Sequence, residues 1–261
     1  MKTKKIIVAG PLVREVIYSR AGSREDAVVR QAKRKTSTEA QRRANARYSW
    51  EKLELMLAAN YVPGDLVVTL TFDDAHLPPD RKAAAARCKK FRQELTGIRK
   101  SAGTDLRMIW TIENKIGEGR WHLHAVINAT GSDDFADILR CWPYGSNVEI
   151  TRLQVNKKKN YESQARYMCK EARERPGLRS WSYTRNCNHP EVETFPVSDD
   201  TRIEIPDGAT VIQEETKRTE YAEFQYIKYL AAAPVVLRRM RPKTKRRRQP
   251  FYYIFSVLES I

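Results

Sequence analysis

Several features that mark other classes of protein are missing from this sequence. Its four cysteines include no Cys-x-x-Cys pair, which argues against a zinc ribbon or finger, and they do not indicate a disulfide framework in a chain of 261 residues. No apolar run approaches the length of about 18 residues that a membrane span requires. A Gly-x-x-x-x-Gly-Lys-Ser/Thr loop is also absent, so no fused helicase is expected. We therefore expect a protein of the reducing cytoplasm, without a membrane partner.

Acidic residues are scarce relative to basic ones. The chain has 48 Lys and Arg against 32 Asp and Glu, which gives a formal net charge of +16 and a pI of about 9.8. Such an excess indicates an anionic partner, usually nucleic acid, although a solvated basic surface is the alternative. The charge is uneven, because residues 190–220 carry nine acidic and three basic side chains, whereas residues 235–261 carry one acidic and eight basic. An acidic segment thus precedes a basic tail.

Hydrophobic periodicity and turn residues predict alternating helices and strands. We predict helices over residues 37–59, 79–100, 133–140 and 157–174, and strands over residues 66–72, 107–113, 121–128, 147–150 and 179–184. This order mixes paired strands with covering helices. It predicts an α+β fold with a central, mainly antiparallel sheet flanked by helices, an N-terminal helix and a C-terminal extension.

Two histidines fall on one predicted strand. His122 and His124 are two residues apart, so their imidazoles point to the same face of the sheet, while Leu123 points into apolar packing. Two imidazoles at this spacing form half of a metal site, although a structural role is the alternative for each.

The hairpin before these histidines supplies a third candidate ligand. A turn centred on residues 117–118 would place Glu113 opposite His122, with β-carbons about 5 Å apart, and Thr111 opposite His124. A slip of one residue would turn Glu113 to the other face. With the first register, a carboxylate joins the two imidazoles, and the set could hold Mg²⁺ or Mn²⁺.

The helix predicted over residues 157–174 carries a tyrosine off its apolar stripe. Tyr161 belongs to the stripe and is expected to pack, whereas Tyr167 lies about 100° around the helix from Met168. Lys170 and Glu171 share the side of Tyr167. A phenol can attack phosphorus and a neighbouring ammonium can stabilise the charge that develops, but a surface tyrosine is the alternative.

These motifs together resemble the rolling-circle replication initiators (Rep proteins) of the HUH endonuclease superfamily. Val67-Val68-Thr69-Leu70-Thr71-Phe72 resembles the first motif of that family, His122-Leu123-His124 the His-hydrophobic-His motif, and Tyr167-Met168-Cys169-Lys170 the single-tyrosine motif. The resemblance covers roughly residues 36–195, and the ordered set is more specific than any one motif.

The resemblance implies that the protein nicks single-stranded DNA at a replication origin, leaves a 5′-phosphotyrosine and a free 3′-hydroxyl, and later rejoins the strand. Tyr167 would be the nucleophile and Lys170 the assisting base or charge stabiliser. His122, His124 and Glu113 would bind a divalent metal, Mg²⁺ or Mn²⁺. The implied partners are single-stranded and origin hairpin DNA, with a host helicase as a further candidate, in a bacterial host cell.

The resemblance also suggests how the chain is organised. We predict an N-terminal strand and helix extension over residues 1–60, an HUH endonuclease domain over residues 61–195, an acidic C-terminal extension over residues 196–234 and a basic tail over residues 235–261. Two alternatives stay open. One is a conjugative relaxase or transposase with the same chemistry, and the other is a noncatalytic DNA-binding module.

Overall fold

The computed structural model describes residues 2–19, 39–114, 119–131, 133–171, 180–218 and 223–237. The chain divides into two compact units, one formed by Met1–Ala44 with Pro190–Ile261 and the other by Asn45–His189. Each unit contains a five-stranded antiparallel sheet, and four helices lie within the described residues, so the α+β prediction is confirmed.

The elements are named in chain order. The strands are β1 (Lys2–Ala9), β2 (Leu12–Ser19), β3 (Leu66–Thr71), β4 (Met108–Glu113), β5 (His122–Ile127), β6 (Val148–Arg152), β7 (Ser182–Tyr183), β8 (Glu191–Val197), β9 (Thr210–Arg218) and β10 (Glu223–Leu230). The helices are α1 (Glu39–Asn60), α2 (Arg81–Ser101), α3 (Asp134–Cys141) and α4 (Glu162–Met168).

The sheet of the second unit has the strand order β6-β3-β5-β4-β7, which places β5 at its centre. Strand alternation divides its side chains between two faces. Leu70, Ile112 and Leu123 belong to one apolar cluster, which also contains Ala84, Cys88, Phe91 and Leu95 of α2. The intervening residues of β3, β4 and β5 are left for the opposite face, where the predicted site residues lie.

Helix α2 begins at a side-chain cap. The carboxylate of Asp80 accepts a hydrogen bond from the backbone N–H of Ala83 at 2.7 Å, which satisfies one of the donors that a helix N-terminus leaves open. Its last turn carries Arg99 and Lys100, whose charges suit the C-terminal end of a helix. The amphipathic helix predicted over residues 79–100 is therefore confirmed to within two residues at its start.

The helix predicted over residues 157–174 is wrong in extent, because α4 covers only Glu162–Met168. Asn156 accepts hydrogen bonds from the backbone N–H groups of Lys158 and Asn160, and Lys159 has a φ of 56°, so residues 157–160 form a turn instead. After Met168 the chain turns again, while residues 172–179 lie outside the described part. The strand predicted over residues 179–184 shortens to β7.

The sheet of the first unit joins the two ends of the described chain. Its strand order is β8-β1-β2-β10-β9, with every pair antiparallel. The sequence analysis missed β8, β9 and β10, because β8 and β9 expose most of their side chains and give a weak apolar signal. The functional division into four segments stays a prediction. Residues 241–248 of the basic tail and Thr36, the expected helix cap, lie outside the described residues.

None of the helices that the structure describes combines the length and the apolar character needed to cross a lipid bilayer.

Candidate active site

The site is built on the polar face of the central strand. His122 and His124 lie on β5 with Leu123 between them, and Leu123 is fully buried in the apolar cluster. The two imidazole rings have centroids 6.0 Å apart. His124 is buried, whereas His122 is half-buried. The strand therefore presents both rings on one face, as the sequence spacing predicts.

Two threonines on the neighbouring strand hold the histidines. Thr69 and Thr71 of β3 lie opposite His124 and His122 in the strand register. The Oγ1 of Thr69 is 3.0 Å from Nδ1 of His124, and the Oγ1 of Thr71 is 3.2 Å from Nδ1 of His122. When each Nδ1–H donates to its threonine, the lone pair of the neutral ring lies on Nε2. The threonines thus leave Nε2 of each ring for a ligand.

The sequence analysis quoted these two threonines only as part of a motif and did not assign them this role. The available signal was the alternation Thr69-Leu70-Thr71, which places both hydroxyls on one face of β3. Their partners could not be named, because pairing of β3 with β5 joins residues 51 and 55 positions apart.

The hairpin register is confirmed. Glu113 pairs with His122 and Thr111 pairs with His124. Glu113 is almost fully buried, and its Oε2 lies 3.5 Å from Nε2 of His124. Thr111 donates a hydrogen bond to the backbone oxygen of Ser180 at 2.8 Å. The carboxylate and the imidazoles therefore share one face at one end of the sheet.

Tyr167 and Lys170 lie beside this group. The ring of Tyr167 is edge-on to that of His124 with centroids 5.1 Å apart, and 47% of the tyrosine is exposed. The Nζ of Lys170 lies 4.2 Å from the centre of the Tyr167 ring and 2.9 Å from Oε2 of Glu113. Lys170 follows the end of α4 rather than continuing it, but the turn keeps its ammonium on the side of Tyr167.

Tyr161 is separated from the site by packing. It is buried, and its hydroxyl donates a hydrogen bond to the backbone oxygen of Tyr61 at 3.3 Å. Burial raises the pKa of Tyr161 to about 12. The prediction that Tyr161 packs while Tyr167 faces outwards is confirmed.

The histidines have the protonation state that a metal ligand needs. Burial lowers the pKa of His124 to about 4, helped by the positive charge of Lys170 and by His122. Burial likewise lowers the pKa of His122, with Lys170 as the next cause. Burial alone would lower the pKa of Lys170, but the Glu113 carboxylate outweighs it and raises the pKa above its usual value. Both imidazoles are therefore neutral near pH 7 beside a charged ammonium.

The donor set of His122, His124 and Glu113 fits a divalent ion by its chemistry, because two neutral imidazoles and a carboxylate suit Mn²⁺ and similar ions. In the part of the chain that the structure describes, however, no three His, Cys, Asp or Glu side chains already stand close enough together to hold a metal. The ammonium of Lys170 lies on the carboxylate that would bind it.

The turn and core predictions around the site are confirmed. Asp73 accepts hydrogen bonds from the backbone N–H of His76 at 2.9 Å and pairs with its ring at 2.7 Å, which closes a turn directly after β3. Trp121 and Trp181 are buried, and Trp110 packs against the apolar cluster. None of these residues joins the histidines and Tyr167.

Comparison with known proteins gives one positive finding. Residues 65–174 match the family of the replication-associated protein ORF2. The match covers less than half of the chain, lies within the unit Asn45–His189 and contains all five predicted site residues. It is consistent with a rolling-circle replication initiator. No curated protein and no solved structure matches the chain.

Proposed function

We propose that this protein initiates rolling-circle replication by nicking single-stranded origin DNA through Tyr167. The observation that carries the proposal is the position of Tyr167, which is exposed to solvent while its ring contacts His124 and the Lys170 ammonium. A nucleophile needs access to a large substrate on one side and groups that manage charge on the other. Tyr161, which is buried and hydrogen-bonded, has neither.

The proposed reaction is a transesterification. The phenol oxygen of Tyr167 attacks the phosphorus, the bond between phosphorus and the 3′-oxygen breaks, and that oxygen takes up a proton as the phenol loses one. The products are a 5′-phosphotyrosine and a free 3′-hydroxyl, and attack by a 3′-hydroxyl on the phosphotyrosine reverses the step. Because no bond is hydrolysed, the strand can be rejoined without another energy source.

The residues around Tyr167 divide the remaining work. Lys170 is already an ammonium paired with Glu113, so we assign it to stabilising the phenolate and the phosphate charge rather than to removing a proton. His122, His124 and Glu113 would hold the divalent ion. When bound, that ion would polarise a phosphate oxygen and orient the scissile bond.

The replication assignment is supported by the match to a replication-associated family, which a relaxase or a transposase would not be expected to give preferentially. The net charge of +16 suits a nucleic-acid substrate. Origin hairpin DNA and a host helicase belong to this proposal as partners. A noncatalytic DNA-binding module would not need an exposed phenol beside two neutral imidazoles.

The test uses the full chain and a randomised single-stranded oligonucleotide library with Mn²⁺ or Mg²⁺. We expect a covalent protein–DNA adduct that survives denaturation, is present in Tyr161→Phe and is absent in Tyr167→Phe. Sequencing the trapped DNA would identify the recognised site. DNA binding without an adduct in either metal would overturn the proposal and favour the binding module.

A further inference from the structure

A second group of side chains lies at the end of the sheet where His122 and Glu113 are found. Thr71 pairs with His122, and the chain leaves β3 at Phe72. The segment after α3 is bound to this end, because the backbone N–H of Asp73 donates to the oxygen of Tyr144 at 2.9 Å and Nε1 of Trp142 donates to the oxygen of Thr71 at 3.3 Å. Tyr144 is therefore fixed next to the last residues of β3.

Arg87 of α2 reaches this segment. Its guanidinium carbon lies 5.6 Å from the centre of the Phe72 ring and 5.5 Å from that of Tyr144. Among the described residues, its Nη1 is shielded from solvent and has no hydrogen-bond acceptor. A guanidinium N–H that has lost water without gaining an acceptor is costly, so an anion that supplied one would be bound favourably.

The acidic groups nearest in sequence are already engaged. Asp73 pairs with His76, and Asp74 pairs with Arg120 at 2.5 Å. Arg87 stays half-buried, so part of its side chain remains open to a ligand. The positive charge of Arg87 is thus directed to an external anion rather than to a carboxylate of this loop.

Half-exposed rings accompany this cation. The rings of His76 and Tyr144 have centroids 6.0 Å apart in an edge-on arrangement, and 44% of the His76 side chain is exposed. Trp142 supports Tyr144 from behind, with ring centroids 5.2 Å apart. A supported aromatic ring beside a guanidinium suits a base next to a phosphate. Unpaired bases can reach such a ring, whereas the bases of a duplex are stacked on one another.

We propose that Arg87, Tyr144 and His76 bind one nucleotide of single-stranded DNA that neighbours the scissile phosphate. Arg87 contacts the phosphate, and Tyr144, together with His76, takes the base. Phe72 belongs to the apolar cluster on the α2 side, so the bound strand passes around the end of the sheet from the His122 face. The site rests on the proposed function for its substrate but does not depend on the nicking chemistry.

The experiment measures binding of a fluorescent oligo-dT strand to the full chain across a salt series, in a Tyr167→Phe background that cannot react. We expect Arg87→Ala to weaken binding and to reduce the salt slope by about 0.7, the value for one lost phosphate contact on a single strand. Tyr144→Ala should weaken binding roughly tenfold, a typical loss for one stacked base, whereas Tyr144→Phe should not. Binding of a matched duplex should change little.

Arg92→Ala is the matched control, because Arg92 also lies on α2 and covers an aromatic ring, that of Trp110 at 5.1 Å. It should leave affinity and salt slope unchanged. Equal losses in Arg87→Ala and Arg92→Ala, or an unchanged slope in Arg87→Ala, would overturn the site and leave Arg87 as a structural brace. If wild type forms no adduct but the Arg87 effect persists, the proposed chemistry fails while the nucleotide site stands.

Discussion

The Nζ of Lys170 lies 2.9 Å from Oε2 of Glu113, the same carboxylate oxygen that faces Nε2 of His124 at 3.5 Å. The ammonium therefore holds a position that a divalent ion bound by Glu113 and His124 would contest. Because both cations seek one oxygen, metal binding should displace Lys170 from Glu113 and free it for Tyr167, whose ring it already contacts.

This competition predicts that Lys170→Met binds Mn²⁺ several-fold more tightly than wild type in titration calorimetry, while adduct formation with DNA falls. Removing any nearby positive charge has some effect of this kind. Arg120→Met is therefore the control, since Arg120 pairs with Asp74 and touches no proposed ligand. Affinity in Lys170→Met no higher than in Arg120→Met would show that the ammonium does not compete.

The threonine behind His124 provides a second prediction. Thr69→Val removes the hydroxyl that lies 3.0 Å from Nδ1 and keeps the shape of the side chain. Partners of this kind orient a ligand ring, and their loss typically costs about 10–100-fold in metal affinity or activity. We expect that loss in Mn²⁺ titrations of Thr69→Val and near wild-type affinity in Thr69→Ser. Equal affinity in both variants would remove the orienting role of Thr69.

The parts of this site that could be predicted from the sequence depend on short separations. Alternation along β5 placed His122 and His124 together, and a tight hairpin placed Glu113 opposite them. Lys170 was placed on the correct side of Tyr167 although α4 ends earlier than its periodicity suggests, because the turn of residues 156–160 replaces the first helical turn. Apolar spacing does not register such side-chain capping.

The parts that could not be predicted depend on distant pairing. The contact of Thr69 with His124 requires knowing that β3 lies beside β5, and that of Arg87 with Tyr144 joins residues of a helix and a loop after another helix. In the first unit, β1 pairs with β8, nearly the whole chain away. The polar, exposed pattern of β8 carries no signal for that partner.

The third prediction separates the two tyrosines of the α4 region. Tyr161→Phe removes one hydrogen bond, to the oxygen of Tyr61, and should lower the free energy of unfolding by about 1 kcal/mol. It should leave the yield of covalent adduct unchanged at saturating DNA. Chemical denaturation and denaturing gels measure the two effects separately. An adduct attached to Tyr161 in Tyr167→Phe would contradict the choice of nucleophile.

A fourth prediction concerns the stability of the second unit. Arg99 and Asp134 form an ion pair of 2.6 Å in which both residues are almost fully buried. Asp134 also accepts hydrogen bonds from the backbone and hydroxyl of Thr130 and from the backbone of Gly131. Asp134→Asn leaves the Arg99 charge buried without its counter-ion, so we expect a loss of about 3 kcal/mol at pH 7.

The pH dependence of this pair has a definite sign. Burial alone would raise the pKa of Asp134, but the hydrogen bonds from Thr130 and Gly131 and the charge of Arg99 outweigh it and hold the pKa below its usual value. The stabilisation is present above the unfolded pKa of about 4 and is lost as pH falls through the lower folded pKa. Urea midpoints of wild type and Asp134→Asn should therefore converge in acid, and a constant gap would contradict this.

The last prediction tests how closely the loop of Tyr144 fits the end of β3. A Cβ on Gly145 would overlap the backbone oxygen of Thr71 and lie 2.9 Å from the backbone nitrogen of Asp73. Backbone atoms cannot give way as a flexible side chain can. Gly145→Ala should therefore cost about 1–3 kcal/mol of stability and displace Thr71 from His122, which weakens Mn²⁺ binding as well.

Gly97→Ala provides the matched comparison. Gly97 lies inside α2, and a Cβ there would meet nothing within 4 Å. The same added methyl should stabilise the helix by about 0.5–1 kcal/mol, because alanine loses less backbone entropy than glycine. Thermal unfolding should shift in opposite directions for the two variants. If Gly145→Ala keeps both its melting temperature and its Mn²⁺ affinity, the loop can move away from β3, and Thr71 does not depend on it to hold His122.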